Sequence, residues 1–410
     1  MSGKTIYRYI LWLLYFNCCF LLPLQAQYFD FDGHQRKVTI PFRVVRNMIV
    51  IKLKINNKGP FNFVMDTGVG LMIITDPKLI DSISIPCTHV LKLRGLGEGD
   101  EIQAYVSPVL KVDIPGLISY DVSAAILKTE HFGLSNYAGF PIHGLLGYEF
   151  FNNFAVKVSF GDSTLTVYRP KDEKLFKTGE RIPITIENNK PYMQANVYLP
   201  DGCVQNSKLV VDLGSGHQLS LENMVESNIL PKNSIPSNLG IGFNGPISGY
   251  LSRISEIELG KYKVRNLISS FPVTDSLTND SHVKRDGNLG LGLLKKFTVV
   301  FDYTNKFIYL KPGPLFNEPF EHDMSGLEYY AGGDDYDHIV ISRVEPGSAG
   351  DQIGLEKNDE IVAINFKPIS KMTLEDIDNL FKSQNNRSLL LDVYHDKKYD
   401  KVIITLKRRI

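Results

Sequence analysis

Phe61-Asn62-Phe63-Val64-Met65-Asp66-Thr67-Gly68 decides the fold, because its outline returns as Lys208-Leu209-Val210-Val211-Asp212-Leu213-Gly214. In both copies an apolar run of strand-forming residues enters Asp-x-Gly. Met48-Ile49-Val50-Ile51-Lys52-Leu53-Lys54-Ile55 and the turn Asn56-Asn57-Lys58-Gly59-Pro60 precede the first copy. A strand over residues 193–199 and the turn Pro200-Asp201-Gly202 precede the second. Downstream each copy passes a glycine-rich stretch, Gly95-Leu96-Gly97-Glu98-Gly99 in one and residues 240–249 in the other. Each closes on a matching block, Gly144-Leu145-Leu146-Gly147 or Gly287-Asn288-Leu289-Gly290. Asp66 lies 147 − 66 = 81 residues before its closing glycine, and Asp212 lies 290 − 212 = 78 before its own. A repeat of that length is a duplicated domain, not a solenoid of small units. Helical periodicity is scarce, so the expectation is a mainly β chain with two pseudo-symmetric β-barrel lobes.

One Asp-x-Gly at a strand end in each lobe has a chemical reading. Two carboxylates held about 3 Å apart cannot both ionise, so they share a proton. The ionised member takes a proton from a water between them, and the protonated member donates to the carbonyl under attack. A glycine two residues after each Asp lets the two backbones approach closely. A single Asp-x-Gly is ordinary turn chemistry. The duplication turns it into a site.

At these residues the chain resembles the aspartic peptidases, specifically the retropepsin-like group, as a two-lobed single chain. Val64-Met65-Asp66-Thr67-Gly68 matches the apolar-apolar-Asp-Thr-Gly motif. Leu145-Leu146-Gly147 resembles the segment that crosses behind the catalytic loop, and the glycine-rich stretches fall where the family places its flaps. The resemblance spans residues 38–312 and implies two acid-protease-like β-barrel lobes. It implies Asp66 and Asp212 as the catalytic pair, with Thr67, Gly68 and Gly214 supporting their loops. Gly95, Leu96, Gly97, Gly242 and Phe243 become flap residues over the substrate, and no metal or cofactor is required. The second lobe departs from the pattern, because Leu213 stands where the family has a Thr or Ser that bonds across to the opposite loop. Val69 replaces the usual small residue in the first lobe. Two readings follow: an aspartic-type endopeptidase, or a catalytically impaired peptide-binding protein that keeps the protease fold.

After Pro312-Gly313-Pro314 the pattern changes. Val344-Glu345-Pro346-Gly347-Ser348-Ala349, Gly354-Leu355 and Asn358-Asp359-Glu360-Ile361 resemble the run that marks a PDZ domain of bacterial peptidases. Thr373 opens a helix with Leu374, Ile377, Leu380 and Phe381 on its apolar face. The resemblance implies a small PDZ-like α/β domain whose carboxylate loop is Ser325-Gly326-Leu327-Glu328-Tyr329. Amides there would receive a peptide C-terminus, with the peptide adding as a strand. The resulting division is 1–26 signal peptide, 27–175 first lobe, 176–318 second lobe and 319–410 PDZ-like domain. A PDZ domain that tethers substrates would leave cleavage of short peptides independent of it.

Lys4 and Arg8, an apolar run over residues 10–22 and Pro23-Leu24-Gln25-Ala26 read as a cleaved export signal, too short to span a bilayer. Export to the periplasm or medium follows as an expectation. Lys+Arg and Asp+Glu both number 45, and loss of Lys4 and Arg8 leaves 43 − 45 = −2, so charge favours no nucleic acid. Cys87 and Cys203 remain after the signal is lost and are expected to be small buried residues, with one disulfide as the alternative. No His-Glu-x-x-His or paired-cysteine pattern points to zinc. Gly240-Ile241-Gly242-Phe243-Asn244-Gly245 formally fits a dinucleotide-binding pattern, but Pro246 follows where a helix is needed. Peptides and proteins are the expected partners.

Overall fold

The computed structural model describes residues 29–95, 97–130, 132–172, 178–273 and 283–410. The expected signal peptide and the flap residue Leu96 lie outside the described residues. Among the described residues no helix is long and apolar enough to cross a membrane. The chain is mainly β, with two barrel-like sheets and a C-terminal PDZ domain.

The repeat in the sequence is a repeat in register. In the first lobe the strand Lys58–Met65 pairs antiparallel with Met48–Ile55, and Gly144–Leu146 runs parallel beside it, Leu145 opposite Val64. In the second lobe Val204–Asp212 pairs antiparallel with Lys190–Tyr198, and Gly287–Gly290 runs parallel beside it, Asn288 opposite Val210. Each closing block thus lies directly behind the strand that delivers an Asp. Its glycines fit because the neighbouring backbone leaves no room for a side chain.

A six-stranded sheet joins the lobes. Its order is Glu180–Pro183, Phe307–Pro312, Phe297–Asp302, Ala155–Ser159, Thr164–Tyr168 and Lys37–Pro41. The central pairing, Ala155–Ser159 with Phe297–Asp302, crosses from one lobe to the other. Above it Phe150, Phe151, Phe154 and Phe301 are fully buried, with Phe151 edge-on to Phe301 at 5.4 Å. Truncating one such ring costs about 3–5 kcal/mol. The lobes share this core, so the pair of Asp loops rests on one continuous support.

The PDZ domain has its own core and its own sheet, ordered Leu327–Gly332, His338–Val344, Glu360–Ile364, Ser388–His395 and Lys398–Thr405. Its helix Leu374–Phe381 begins in a capping box: Asp376 N–H donates to Thr373 Oγ1 and Thr373 N–H donates to Asp376 Oδ2. Cys87 and Cys203 correct an expectation, since both are free thiols and exposed. Cys87 follows Pro86 in a connecting segment and Cys203 closes the turn after Asp201, so neither belongs to a core-facing strand position.

Candidate active site

Asp66 follows the strand Lys58–Met65, and Asp212 ends the strand Val204–Asp212. Gly68 N–H donates to Asp66 Oδ1 at 2.8 Å, and Gly214 N–H donates to Asp212 Oδ1 at 2.8 Å. Each Asp-x-Gly therefore closes its own Asx turn. The glycines also face the opposite Asp. A Cβ on Gly68 would stand 2.7 Å from Asp212 Oδ2, and one on Gly214 would overlap the Asp66 carboxyl. The two carboxyls meet as side chains of one site because both glycines lack that atom.

Burial first, then the adjacent Asp212 charge and a hydrogen bond with it, raise the Asp66 carboxyl well above the usual carboxylate range. Asp212 receives a further donor, Asn288 Nδ2 to Asp212 Oδ2 at 2.6 Å. His217 is deeply buried beside them and pushed down to about 4 by burial, so its imidazole is neutral at ordinary pH. Its ring meets Ser215 Oγ, 2.8 Å from Nδ1.

Leu213 leaves the cross-lobe brace one-sided. Thr67 Oγ1 donates to Val211 O at 2.7 Å and accepts from Leu213 N–H at 2.9 Å, so this single buried hydroxyl ties both backbone atoms of the opposite loop. The Leu213 side chain is fully buried in the shared core. A second clasp is reciprocal. Asn47 Nδ2 donates to Gly216 O at 2.8 Å, and Asn189 Nδ2 donates to Gly70 O at 3.2 Å. Each carbonyl lies four residues after the Asp of the lobe opposite the donor.

The glycine-rich stretches are hairpins whose tips meet. The first joins His89–Leu93 to Ile102–Ile114, and the second joins Ile235–Gly242 to Gly245–Leu259. Gly95 N–H donates to the Asn244 side chain, Glu98 N–H donates to Pro246 O at 3.1 Å, and Ser248 N–H donates to Glu98 Oε1 at 3.2 Å. Phe243 turns inward against Phe132, ring centroids 5.1 Å apart. Gly97 and Phe243 belong to this tip-to-tip contact, Gly242 pairs with Gly245 inside its own hairpin, and no helix follows the 240–245 glycine pattern.

The PDZ loop differs from its expected role. Ser325 N–H and Gly326 N–H donate to Asp323 Oδ1 at 2.9 and 2.7 Å, so the chain's own carboxylate occupies the amides offered to a peptide C-terminus. Leu327 N–H donates to Ser325 Oγ at 3.1 Å. The edge strand Leu327–Gly332 is covered by the first lobe. Arg46 Nη1 donates to Tyr329 O at 2.9 Å and Asn136 Nδ2 to Ala331 O at 2.9 Å. Asn238, in the strand of the second flap, donates to Glu328 Oε2 at 2.7 Å.

Sequence reasoning missed Asn288, Asn47, Asn189 and Asn244. The available signal was Asn288 standing where the other closing block has Leu145.

Comparison with known proteins bears on the domain content of the chain. Residues 51–150 match the family model described as aspartyl protease, and residues 340–394 match that described as PDZ domain. The chain therefore carries an aspartyl protease domain and a C-terminal PDZ domain. The first match contains Asp66 and ends before the second lobe. The crystal structure of aspartic proteinase from Irpex lacteus is similar over 69% of this chain and 99% of its own, at 11% identity and a TM-score of 0.47. No curated protein matches.

Proposed function

With an aspartyl protease domain and a PDZ domain as the premise, we propose that the protein is an endopeptidase that hydrolyses peptide bonds with water held between Asp66 and Asp212. Asp66 carries the shared proton, in keeping with its raised proton affinity. Asp212, with two donors on its carboxylate, is the base. It takes a proton from water as the water oxygen bonds to the carbonyl carbon, while Asp66 gives its proton to the carbonyl oxygen. The gem-diol then breaks its C–N bond. Asp66 regains a proton from a diol hydroxyl, and Asp212 passes its own to the leaving nitrogen. One acid and one amine result, and the pair returns to its starting state.

The observation that supports activity over a decayed binding fold is the pairing of each glycine with the opposite carboxyl, held by Thr67 despite Leu213. The test is cleavage of a diverse peptide library across pH by the wild type, Asp66→Asn and Asp212→Asn. Both variants are expected to fold and to lose cleavage by at least about a thousandfold, given the usual weight of an acid–base pair. Cleavage retained in both Asn variants would remove the assignment.

Export, with release of residues 1–26, belongs to the same proposal and is supported by the basic, apolar, small-residue order of that segment. A mature chain from the native host that begins at residue 1 would exclude it. For the PDZ domain, the Asp323 and Arg46 contacts favour a brace on the peptidase lobes over a receiver of free C-termini.

A further inference from the structure

The two lobes place different chemistry at equivalent positions next to the Asp strands. Strand register defines the equivalences. Val50 pairs with Val64 as Tyr192 pairs with Val210, and Val45 pairs with Met48 as Glu187 pairs with Lys190. Leu145 lies opposite Val64 and Ile73 as Asn288 lies opposite Val210 and Ser220. His143 N–H donates to Asn62 O as Asp286 N–H donates to Lys208 O, which sets Ile142 against Arg285.

In the first lobe Val45, Met48, Val50, Ile73, Ile142 and Leu145 form one apolar cluster. Their second-lobe counterparts are Glu187, Lys190, Tyr192, Ser220, Arg285 and Asn288. Five of the six apolar positions carry polar or charged residues and the sixth the phenol of Tyr192, while Val64 and its counterpart Val210 stay apolar. A lobe that needed this face only for packing would keep it apolar, since each buried polar group must find a partner.

Three of the six have a hydrogen-bonded or ion-paired partner, Asn288 on Asp212 among them. Arg285 pairs with Glu222 at 2.8 Å, and Glu187 with Lys208 at 2.7 Å. Lys190 does not. It is partly buried, within electrostatic reach of Asp66, Asp212, Glu222 and Arg285, and makes no side-chain hydrogen bond or ion pair among the described residues. Burial first, then the Arg285 charge, lower its proton affinity, as befits an ammonium held without an anion.

We propose that Lys190, backed by the Arg285–Glu222 pair and Tyr192, is a specificity pocket for an acidic side chain of the substrate, on the side of the scissile bond bound by the second lobe. An incoming Asp or Glu carboxylate supplies the anion that Lys190 lacks, in a partly buried setting where the pairing is stronger than in open water. The inference rests on Asp66 and Asp212 being the hydrolytic pair.

The test is a set of peptides identical except for Glu, Gln, Leu or Lys at each position flanking the bond. For the wild type, kcat/KM for Glu over Gln at one flanking position is expected to reach about tenfold or more, the usual effect of one charge-assisted hydrogen bond. Lys190→Met removes that ratio, Lys190→Arg keeps most of it, and Lys190→Glu turns the preference toward Lys. If Lys190 only tunes the carboxyl pair, Lys190→Met slows all four peptides alike and moves the pH profile while the ratio stays, which overturns the pocket. A wild type that cleaves without acidic preference also overturns it. A wild type that cleaves none of the peptides, nor any of the diverse library, instead removes the hydrolytic reading on which the pocket depends.

Discussion

Arg46 and Asn47 form the two-residue turn between Arg43–Val45 and Met48–Ile55, yet their side chains leave it for different domains. Arg46 makes paired bonds to Asp378 on the PDZ helix, at 3.1 and 2.9 Å, between the rings of Tyr137 and Tyr329. Asn47 holds Gly216 O in the loop after Asp212 and receives Lys295 Nζ at 2.8 Å. Both turn residues have positive φ, 47° and 58°, as a tight hairpin turn requires. One turn therefore fixes the PDZ domain and the second catalytic loop to the same piece of first-lobe backbone.

From this turn follows an expectation opposite to a simple tether. Removing residues 319–410 should lower kcat/KM for short peptides severalfold, because Arg46 and Asn136 lose the contacts that order their segments. Arg46→Met should cost about 3 kcal/mol by leaving Asp378 buried without its cation, and Arg46→Met with Asp378→Leu should recover most of that loss. Denaturation curves and short-peptide rates measure both. An unchanged rate in a folded truncated chain would restore the tether.

Thr67 should matter more than Leu213. Thr67→Val keeps the shape but leaves Val211 C=O and Leu213 N–H buried without their partner, at about 2–3 kcal/mol. Leu213→Thr removes core volume and costs about 1–2 kcal/mol, but its new hydroxyl can brace the first loop from the other side. Peptide turnover is expected to fall at least tenfold in Thr67→Val and to stay near wild type or rise in Leu213→Thr. The opposite order would show that the packing of Leu213 holds the loops.

The parts legible in the sequence were those written in neighbouring residues. Apolar runs into Asp66 and Asp212, the turn at Asn56-Asn57 and the helix start at Thr373 all announce themselves within a few positions. What escaped depends on register or distance. Asn288 gains meaning only because its strand lies parallel to the one ending in Asp212, and Lys190 only when set against Met48. Arg46 finds Asp378 across 332 residues, beyond any local pattern. Asp323 was a local signal left unused, since an Asp two residues before Ser325 is an ordinary Asx-turn former that fills the amides next to it.

Asn288 should decide how well Asp212 is placed to act as base. Its amide donates to Asp212 Oδ2 at 2.6 Å, so Asn288→Leu, which copies Leu145 of the first lobe, removes the donor that orients that carboxylate. At least about a tenfold lower kcat/KM is expected at the wild-type optimum. In both proteins the rate is expected to fall as pH rises through the raised value of Asp66, where the shared proton is lost. An unchanged kcat/KM in Asn288→Leu would separate Asn288 from the function of Asp212.

Glu149 supplies a pH dependence of stability that has no part in the proposed chemistry. It lies in the helix Tyr148–Phe151 just after the closing block of the first lobe, and its Oε2 is buried with no hydrogen-bond partner. Burial, opposed by amide donors at Glu149 and Met72, pushes its carboxyl from 4.5 up to about 7. A raised folded-state value gives full stability below the unfolded value, where both states are protonated. That stability is lost as pH climbs from about 4.5 through about 7, because the unfolded chain releases the proton first. Glu149→Gln, which cannot ionise, should therefore leave stability near pH 4 almost unchanged and raise it near pH 8 by about 2–3 kcal/mol. Denaturant midpoints of the two proteins at both pH values provide the measurement. An equal shift at the two pH values would mean that the substitution acts through packing and not through the proton.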